Sequence, residues 1–214
     1  DFQSLSRVSR VCFRAKMIVE SLSPYRRVMQ HAPTVPTALA KTNLIGIYPA
    51  SLILHVLQTW HCVSCFDFGA FLYLPACERV CLECLCQNRG LWMMTTATAK
   101  KCFGVTQHQL KAIPIMRSIP GTYSVRTPEK AHRKRYQLVS AKHAKQLGLH
   151  VHGSPEKLAE FMPSIPAVGE RSREFYDFKR YHEAPLEPPG CDMSKLPEKS
   201  NIGDDGFAGV ASLR

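Results

Sequence analysis

The chain has 214 residues, of which 45% are apolar and 21% are charged, enough for one ordinary hydrophobic core or two small ones. The longest apolar stretch, Leu44 to Leu57, is interrupted by Pro49 and His55 and is shorter than the roughly 20 residues that cross a bilayer, so no membrane span is predicted. The formal net charge of +11 is concentrated in residues 100–150, which hold eleven basic side chains and one acidic side chain. This block could face an acidic partner or form a solvated surface.

The nine cysteines indicate a reducing compartment rather than a disulfide framework. Their number is odd, and five of them lie between Cys62 and Cys84 with short spacings that suit a metal ion. We therefore expect the protein in the cytoplasm, the nucleus or both. The sequence begins with Asp1 rather than Met, which suggests a piece of a longer chain.

One amphipathic helix is predicted at the start of the chain. Asp1 can cap it, and we expect it to end near residues 22–24. Its apolar positions recur at every third residue: Phe2, Leu5, Val8 and Val11. Residues 25–49 contain three prolines and predict a loop with short helical turns, whereas residues 51–60 predict a buried strand or a short helix.

Four cysteines in the centre of the chain have a pattern that is typical of a zinc site. Cys62 and Cys65 are separated by two residues, and so, after fifteen further residues, are Cys81 and Cys84. A two-residue gap lets one turn present both thiolates to the same ion, and zinc takes four such ligands at tetrahedral corners. Ordinary buried cysteines are the alternative, but they do not require this spacing. Because four thiolates leave no position for a substrate water, we expect a structural zinc rather than a catalytic one.

The residues between and after the two cysteine pairs predict the local fold of the site. Residues 66–74 resemble a β-hairpin, and the run after Cys81 favours a short helix. A first pair on a turn and a second pair that opens a helix resemble the treble-clef arrangement. Cys77, Cys86 and His61 are spare candidate ligands, and Cys77 replaces Cys81 if the loop folds differently.

Capping residues predict the elements that follow the cysteines, and the overall fold class is α+β. Three helix starts are predicted at Thr106, which forms a capping box with Gln109, at Ser140 and at Ser154. The helix after Ser140 is expected to close at Gly148, and residues 136–139 predict a short strand before it. Beyond about residue 180 the sequence is rich in proline, glycine and acidic residues, so we predict a disordered tail.

Several stretches of the chain resemble the conserved body of fungal F-box proteins. They are residues 62–85, Lys100-Lys101-Cys102-Phe103-Gly104, Met116-Arg117-Ser118-Ile119-Pro120-Gly121-Thr122-Tyr123 and Leu149-His150-Val151-His152-Gly153-Ser154. The opening residues resemble the second half of an F-box: Asp1, Phe2, Leu5, Val8, Ser9 and Arg10. The resemblance covers residues 1–160, and the stretches occur in the order that the family has.

The resemblance implies a substrate-receptor subunit of a Skp/cullin/F-box ubiquitin ligase. In such a ligase the F-box docks a Skp-type adaptor, and the rest of the receptor recruits an unknown target protein. The residues expected to contact partners are Phe2, Leu5, Val8, Arg133, Lys134 and Arg135. The Leu-Pro opening of the F-box does not precede Asp1, so adaptor binding is expected of the full-length protein and only weakly of this chain.

The predicted organisation has five parts. They are a partial F-box-like helix (1–24), a connecting segment (25–61), a four-cysteine module (62–90), a basic α+β region (91–165) and a mostly disordered tail (166–214).

Two other function classes are weighed against the receptor. A zinc-stabilised nucleic-acid-binding or nuclear protein would use the basic region 100–150, but only Tyr123 and Tyr136 flank its densest cluster and a base-stacking surface is not expected. An enzyme would need a nucleophile such as Cys102 with a histidine base, and no motif surrounds that residue. We therefore predict a protein without catalytic activity.

Overall fold

The computed structural model describes residues 1–121, 134–164 and 173–186. The chain divides into two compact units, of which the first comprises Asp1–Leu82 among these residues and the second Glu83–Pro189. Helices and small antiparallel sheets occur together, which confirms the α+β class. Within the described ranges, no helix combines the length and the apolar character needed to cross a membrane.

The first unit places a group of helices before a β-hairpin. The helices are α1 (Phe2–Val8), α2 (Phe13–Ser21), α3 (Ser23–His31), α4 (Thr34–Lys41) and α5 (Ala50–Gln58). Strands β1 (Phe71–Tyr73) and β2 (Glu78–Val80) pair in antiparallel fashion, and the unit ends at Leu82, the first residue of α6 (Leu82–Gln87), which otherwise belongs to the second unit. Helix α3 packs against α5, so the core of this unit is mainly helical. Its most completely buried side chains include Val28, Leu39, Leu44, Ile53, Leu57 and Val80.

The single N-terminal helix expected from the sequence is wrong, because the chain turns between α1 and α2. Asp1 does cap α1 as predicted, with its carboxylate accepting the Ser4 N–H at 2.7 Å. Cys12 then adopts an extended conformation and caps α2. A continuous helix would hold Phe2 and Val19 about 25 Å apart along its axis, whereas the turn allows both to be buried.

The loop expected over residues 25–49 is also wrong, because this range contains most of α3 and all of α4. The prolines stand where a helix tolerates them: Pro24 and Pro36 lie in first turns, and Pro33 and Pro49 occupy N-cap positions. The N–H groups of a first turn have no partner within the helix, so a proline there costs no hydrogen bond. These prolines therefore mark helix starts rather than interruptions.

The second unit builds a three-stranded antiparallel sheet with helices packed on it. Its elements are a 3-10 helix (Arg89–Leu91), β3 (Met93–Thr95), α7 (Thr96–Phe103), α8 (Gln107–Leu110), β4 (Met116–Arg117), β5 (Gln137–Ser140), α9 (Ala141–His152), α10 (Pro155–Ala159) and α11 (Arg173–His182). The strand order is β3-β5-β4, with Met94 opposite Val139 and Met116 opposite Leu138. Its buried core consists of Met94, Ala99, Cys102, Phe103, Val105, Leu110, Val139, Ala141, Ala144, Leu158 and Phe178.

Helix starts in this unit follow the capping residues, but one helix end does not. The capping box of Thr106 and the side-chain cap of Ser154 are confirmed, and Ser140 occupies the N-cap position of α9. Helix α9 continues through Gly148 and ends before Gly153, which has a φ of +79°. A Cβ atom at Gly148 would lie 2.8 Å from Cδ1 of Leu158, so the glycine there permits close packing rather than ending the helix.

Helix α11 lies inside the range 166–214 that was expected to be mostly disordered. Its Phe178 is buried in the core of the second unit, together with Phe103. The polar composition of this range predicted disorder. The sequence alone does not reveal that Phe178 packs into a core formed by residues far away in the chain. The part of the predicted tail from 187 to 214 lies outside the described residues.

Candidate metal centre

The four cysteines of the two pairs lie together. The sulfur atoms of Cys62, Cys65, Cys81 and Cys84 are all within 4.8 Å of one another, and those of Cys65 and Cys81 are 3.6 Å apart. Four thiolates at about 2.3 Å from a central ion are about 3.8 Å from each other in a tetrahedral site. A bonded disulfide would hold two sulfurs at about 2.05 Å, and these four cysteines form no disulfide bond with one another. The group therefore has the composition and the spacing of a four-thiolate metal site.

The first pair is held by a tight turn. The Cys62 N–H donates to the Asp67 carbonyl at 2.6 Å, and the Phe66 N–H donates to the Cys62 carbonyl at 3.0 Å. Phe66 has a φ of +64°, an uncommon conformation for a bulky residue, which the turn imposes directly after the second ligand. Across the base of the turn, the Gly69 N–H donates to the Trp60 carbonyl at 2.8 Å. These backbone hydrogen bonds position both thiols of this pair.

Cys62 is arranged to hold negative charge. Its side chain is buried, and burial by itself raises the pKa of the thiol. Hydrogen bonds from the backbones of Ser64, Cys81 and Cys65 lower the pKa and outweigh the burial, so the pKa of Cys62 falls below its ordinary value. The Ser64 N–H lies 3.4 Å from the sulfur. Since the thiolate is the form that ligates metals, these N–H groups prepare the site.

The hairpin and α6 bring the second pair to the first, as the sequence predicts. Cys81 directly follows β2, and Cys84 is the third residue of α6. Phe71, the first residue of β1, is paired with Val80, the last residue of β2. The start of β1, which is nearer in sequence to Cys65, therefore lies beside the residue that precedes Cys81. The predicted short helix is confirmed, and a hairpin does lie between the pairs, but its strands are Phe71–Tyr73 and Glu78–Val80, so its second strand lies beyond the predicted range 66–74.

The three spare candidates lie outside the four-sulfur group in the part of the chain that the structure describes. Cys77 is buried at the hairpin turn, where burial and the nearby Glu78 raise the pKa of its thiol to about 11. Its thiol therefore remains protonated at neutral pH. Cys86 is exposed on α6, and the His61 ring stacks on Phe66 with centroids 5.6 Å apart.

Arg79 supports the site and was missed by the sequence analysis. Its side chain is only 4% exposed, and its Nε donates to the carbonyls of Val56 and Thr59 at 3.3 and 3.1 Å. Its Nη2 donates to the Leu57 carbonyl at 3.3 Å, so the guanidinium satisfies the carbonyls at the end of α5. Its own carbonyl accepts the Val63 N–H at 2.8 Å. Its burial could not be predicted, because the sequence around a single basic residue in a strand does not show whether that residue is buried.

The residues expected to contact partners differ in their exposure to solvent. Phe2 is buried with its ring 5.4 Å from that of Tyr25, so it is an interior residue rather than a surface contact. Val8 is exposed, and Leu5 is half-buried. Lys134 and Arg135 are exposed, whereas Arg133 lies outside the described residues.

The first two helices and their connections expose six large apolar side chains. We call these residues the N-terminal apolar surface: Val8, Val11, Phe13, Met17, Ile18 and Leu22. Phe13 is 78% exposed and Val11 77%, although both are large apolar residues. The sequence analysis did not identify most of these residues as a partner surface. It assumed one continuous helix, in which their side chains would point in different directions around the helix axis.

Cys102 does not have the environment of a nucleophile. It is buried in the core, and burial raises the pKa of its thiol to about 12. Its carbonyl is hydrogen-bonded to Nε2 of His182 at 2.8 Å. A protonated thiol within a core has the opposite properties from a reactive thiolate.

Comparison with known proteins finds no family model, no curated protein and no solved structure that matches the chain. The four-cysteine group and the N-terminal apolar surface are therefore the features from which a function is inferred.

Proposed function

We propose that this chain is the body of a substrate-receptor subunit of a Skp/cullin/F-box-type ubiquitin ligase, stabilised by one structural zinc ion. The observation that carries this proposal is the N-terminal apolar surface, since its six side chains lie within the segment that resembles the second half of an F-box. Phe13 and Met17 are four residues apart on α2 and so share one face, and clustered exposed apolar side chains are typical of protein–protein contact sites. The expected occupant of this surface is the Skp-type adaptor.

The energetics of the N-terminal apolar surface favour a partner. Burying one large apolar side chain that is otherwise exposed contributes about 1.5–3 kcal/mol. Phe13, Met17 and Ile18 are each more than half exposed, so a partner that covers them gains this contribution several times. The buried Phe2 and Val19 hold α1 and α2 on the core and thereby keep the exposed side chains in place.

Zinc is the ion that the four-thiolate group suits best, and the supporting fold is treble-clef-like. Four cysteine ligands in tetrahedral spacing are typical of structural zinc and leave no open coordination position. A turn carries the first pair, a hairpin follows, and a helix carries the end of the second pair, which is the order of a treble clef. In this role the chain's own residues bind the ion and tie the turn, the hairpin and α6 together.

The zinc assignment predicts about one zinc ion per purified chain. Because metal binding and folding are coupled, Cys62→Ser and Cys84→Ser should each abolish stoichiometric zinc and lower the melting temperature by several degrees or more. Cys86→Ser is the matched control, since Cys86 is exposed on the same helix as Cys84 and lies outside the group. It should keep both the zinc content and the melting temperature.

Elemental analysis and thermal unfolding check this prediction. Protein expressed in zinc-replete medium that contains no zinc would rule out the assignment. Equal destabilisation by Cys84→Ser and Cys86→Ser would show that the group is a metal-free core.

The receptor assignment predicts that the full-length protein co-purifies with a Skp-type adaptor. Replacing Phe13 and Ile18 together by Asp should reduce the recovered adaptor at least about tenfold, since charged groups at a desolvated interface are costly. The matched control replaces Ile47 and Phe68 by Asp, because these residues are also about half exposed in the first unit. All four positions are exposed, so both variants should keep the melting temperature of the parent protein. Unchanged adaptor recovery in the first variant, or equal loss in the control, would contradict the proposed contact.

A further inference from the structure

The four sulfur atoms of the four-cysteine group differ in their access to solvent. Cys65 is exposed, Cys81 and Cys84 are half-buried, and Cys62 is fully buried with 0% of its surface exposed. A dissolved oxidant reaches a cysteine through solvent, and the susceptibility of a thiolate to oxidation follows its exposure. Cys65 is therefore the member of the group that such an oxidant meets first.

The exposed Cys65 has a second cysteine sulfur in direct contact. Its Sγ atom lies 3.6 Å from Sγ of Cys81. A disulfide holds two sulfurs at about 2.05 Å, so this pair has to approach by only about 1.5 Å to become bonded. The contact favours Cys81 over Cys84 as the partner of Cys65, because Cys84 shares only the limit of 4.8 Å that applies to the whole group.

Cys62 is a poorer partner for Cys65, although the two belong to the same cysteine pair. Its sulfur accepts hydrogen bonds from the backbone N–H groups of Ser64, Cys65 and Cys81, of which the Ser64 N–H lies at 3.4 Å. A thiolate whose charge is stabilised by such donors is a weaker nucleophile. Burial and hydrogen bonding therefore both protect Cys62, and neither protects Cys65 to the same extent.

We propose that Cys65 is an oxidation site for hydrogen peroxide and that the oxidised Cys65 forms a disulfide with Cys81. The Cys65 thiolate attacks one oxygen of the peroxide, so that an S–O bond forms, the O–O bond breaks and hydroxide leaves. The Cys81 thiolate then attacks the sulfenic sulfur, so that the S–S bond forms, the S–O bond breaks and a second hydroxide leaves. The two sulfurs lose two electrons in all, and the two hydroxides take two protons from solvent to become water.

The disulfide removes two of the four thiolates that the proposed structural zinc needs. A sulfur in a disulfide is no longer a thiolate ligand, and the two remaining thiolates do not fill four tetrahedral positions. One zinc ion should therefore leave the chain for each disulfide formed. This consequence rests on the zinc assignment within the proposed function and is independent of the receptor assignment.

Peptide mapping of the whole chain tests the pairing. Trypsin cleaves after basic residues, so the first cysteine pair lies on peptide 42–79 and the second pair on peptide 80–89. After limited treatment with hydrogen peroxide, digestion without a reductant should yield these two peptides joined by one disulfide. Fragmentation in the mass spectrometer should place that disulfide between Cys65 and Cys81. A disulfide within either cysteine pair would instead leave the two peptides separate.

Zinc release under the same treatment tests the consequence. Cys65→His and Cys84→His each keep four ligands, since structural zinc also accepts three thiolates and one imidazole. Cys84→His retains the Cys65–Cys81 pair and should therefore release zinc at least about fivefold faster than Cys65→His, which lacks the oxidation site. Cys86→Ser is the control, since it removes an exposed cysteine outside the group, and it should release zinc at the rate of the parent protein.

Three outcomes would overturn the inference. The two peptides stay separate after peroxide treatment, the disulfide joins a different pair of cysteines, or the two histidine variants, loaded with zinc beforehand, release it at the same rate. The peptide map of the parent chain decides the pairing whether or not a variant binds zinc. A parent chain that contains no zinc but forms the Cys65–Cys81 disulfide refutes only the zinc assignment, whereas a zinc-loaded chain with another pairing refutes only the oxidation site.

Discussion

Arg79 shows how one residue connects a helix to the four-cysteine group. Its guanidinium donates to three carbonyls at the end of α5, and its backbone carbonyl accepts the N–H of Val63, which follows Cys62. Burial lowers the pKa of Arg79 from its ordinary value, but an arginine remains charged at neutral pH. A cation at a helix C-terminus also interacts favourably with the helix dipole. The residue is thus both a cap and a support for the turn.

Arg79→Leu should destabilise the protein by about 2–4 kcal/mol, because the Leu57 and Thr59 carbonyls lose the charged donor and a buried guanidinium site is left without its cation. Arg79→Lys should recover only part of this stability, since an ammonium group does not reproduce the fork of the guanidinium. Urea unfolding measures both effects.

Arg89→Leu is the control for Arg79→Leu. Arg89 is exposed and pairs with Glu183 at 2.7 Å, and an exposed ion pair contributes about 1 kcal/mol or less. Equal destabilisation by the two leucine variants would contradict the capping role of Arg79.

At the scale of elements, α11 is attached to the second unit by both its side chains and its C-terminal carbonyls. Phe178 is buried, and Nε2 of His182 is hydrogen-bonded to the Cys102 carbonyl at 2.8 Å. Nζ of Lys145 on α9 donates to the carbonyls of His182 and Ala184 at 2.6 and 2.7 Å. A lysine that reaches two carbonyls at a helix end satisfies groups that the helix itself leaves without donors.

Lys145→Met should destabilise the second unit by about 1–2 kcal/mol, because two carbonyls lose a charged donor. Lys101→Met is the matched control, since Lys101 also contacts α11 but only through an exposed ion pair with Glu174 at 3.5 Å. Its effect should stay below about 0.5 kcal/mol. Hydrogen exchange of the α11 amides, measured with urea unfolding, separates the two variants. Faster exchange in the Lys101 variant than in the Lys145 variant would contradict this account.

At the scale of the whole molecule, charge makes the stability depend on pH. The chain carries a formal net charge of +11 with its nine histidines neutral, so acidification adds charge to an already basic protein. Two histidines of the second unit add a specific effect. Burial and the neighbouring Lys142 lower the pKa of His143, and burial lowers the pKa of His182 against an opposing hydrogen bond to Cys102.

The free energy of unfolding should fall as the pH falls through about 6.5, the ordinary histidine value. Both histidines have a lowered pKa in the folded state, so the unfolded chain binds more protons in this window and acid favours unfolding. The double variant His143→Gln, His182→Gln should show a smaller loss of stability between pH 7 and about pH 5 than the parent protein. Any effect of acid on the thiolate group is common to both proteins, so the difference between their slopes isolates the histidines. Identical slopes would contradict the prediction.

Interactions within a few residues were enough to predict several features from the sequence. The two cysteine pairs, the hairpin between them, the capping box at Thr106 and the cap at Ser154 all depend on spacing of four residues or fewer or on local alternation. These signals are readable because a turn, a cap or a two-residue gap has the same geometry in any fold. The metal identity, the adaptor and the target remain predictions.

Burial, by contrast, was decided by residues far away in the chain. Tertiary packing buries Phe2 and places Arg79 against the end of α5. It also keeps Gly148 inside α9 beside Leu158 and buries Phe178 in the core of the second unit. Each depends on a surface supplied by another element, and the free energy of covering that surface exceeds the small local preferences of the segment itself. Local sequence determined where the cysteine pairs and the predicted helix starts of the second unit lie, whereas only the tertiary structure decided which side chains are buried and which remain exposed.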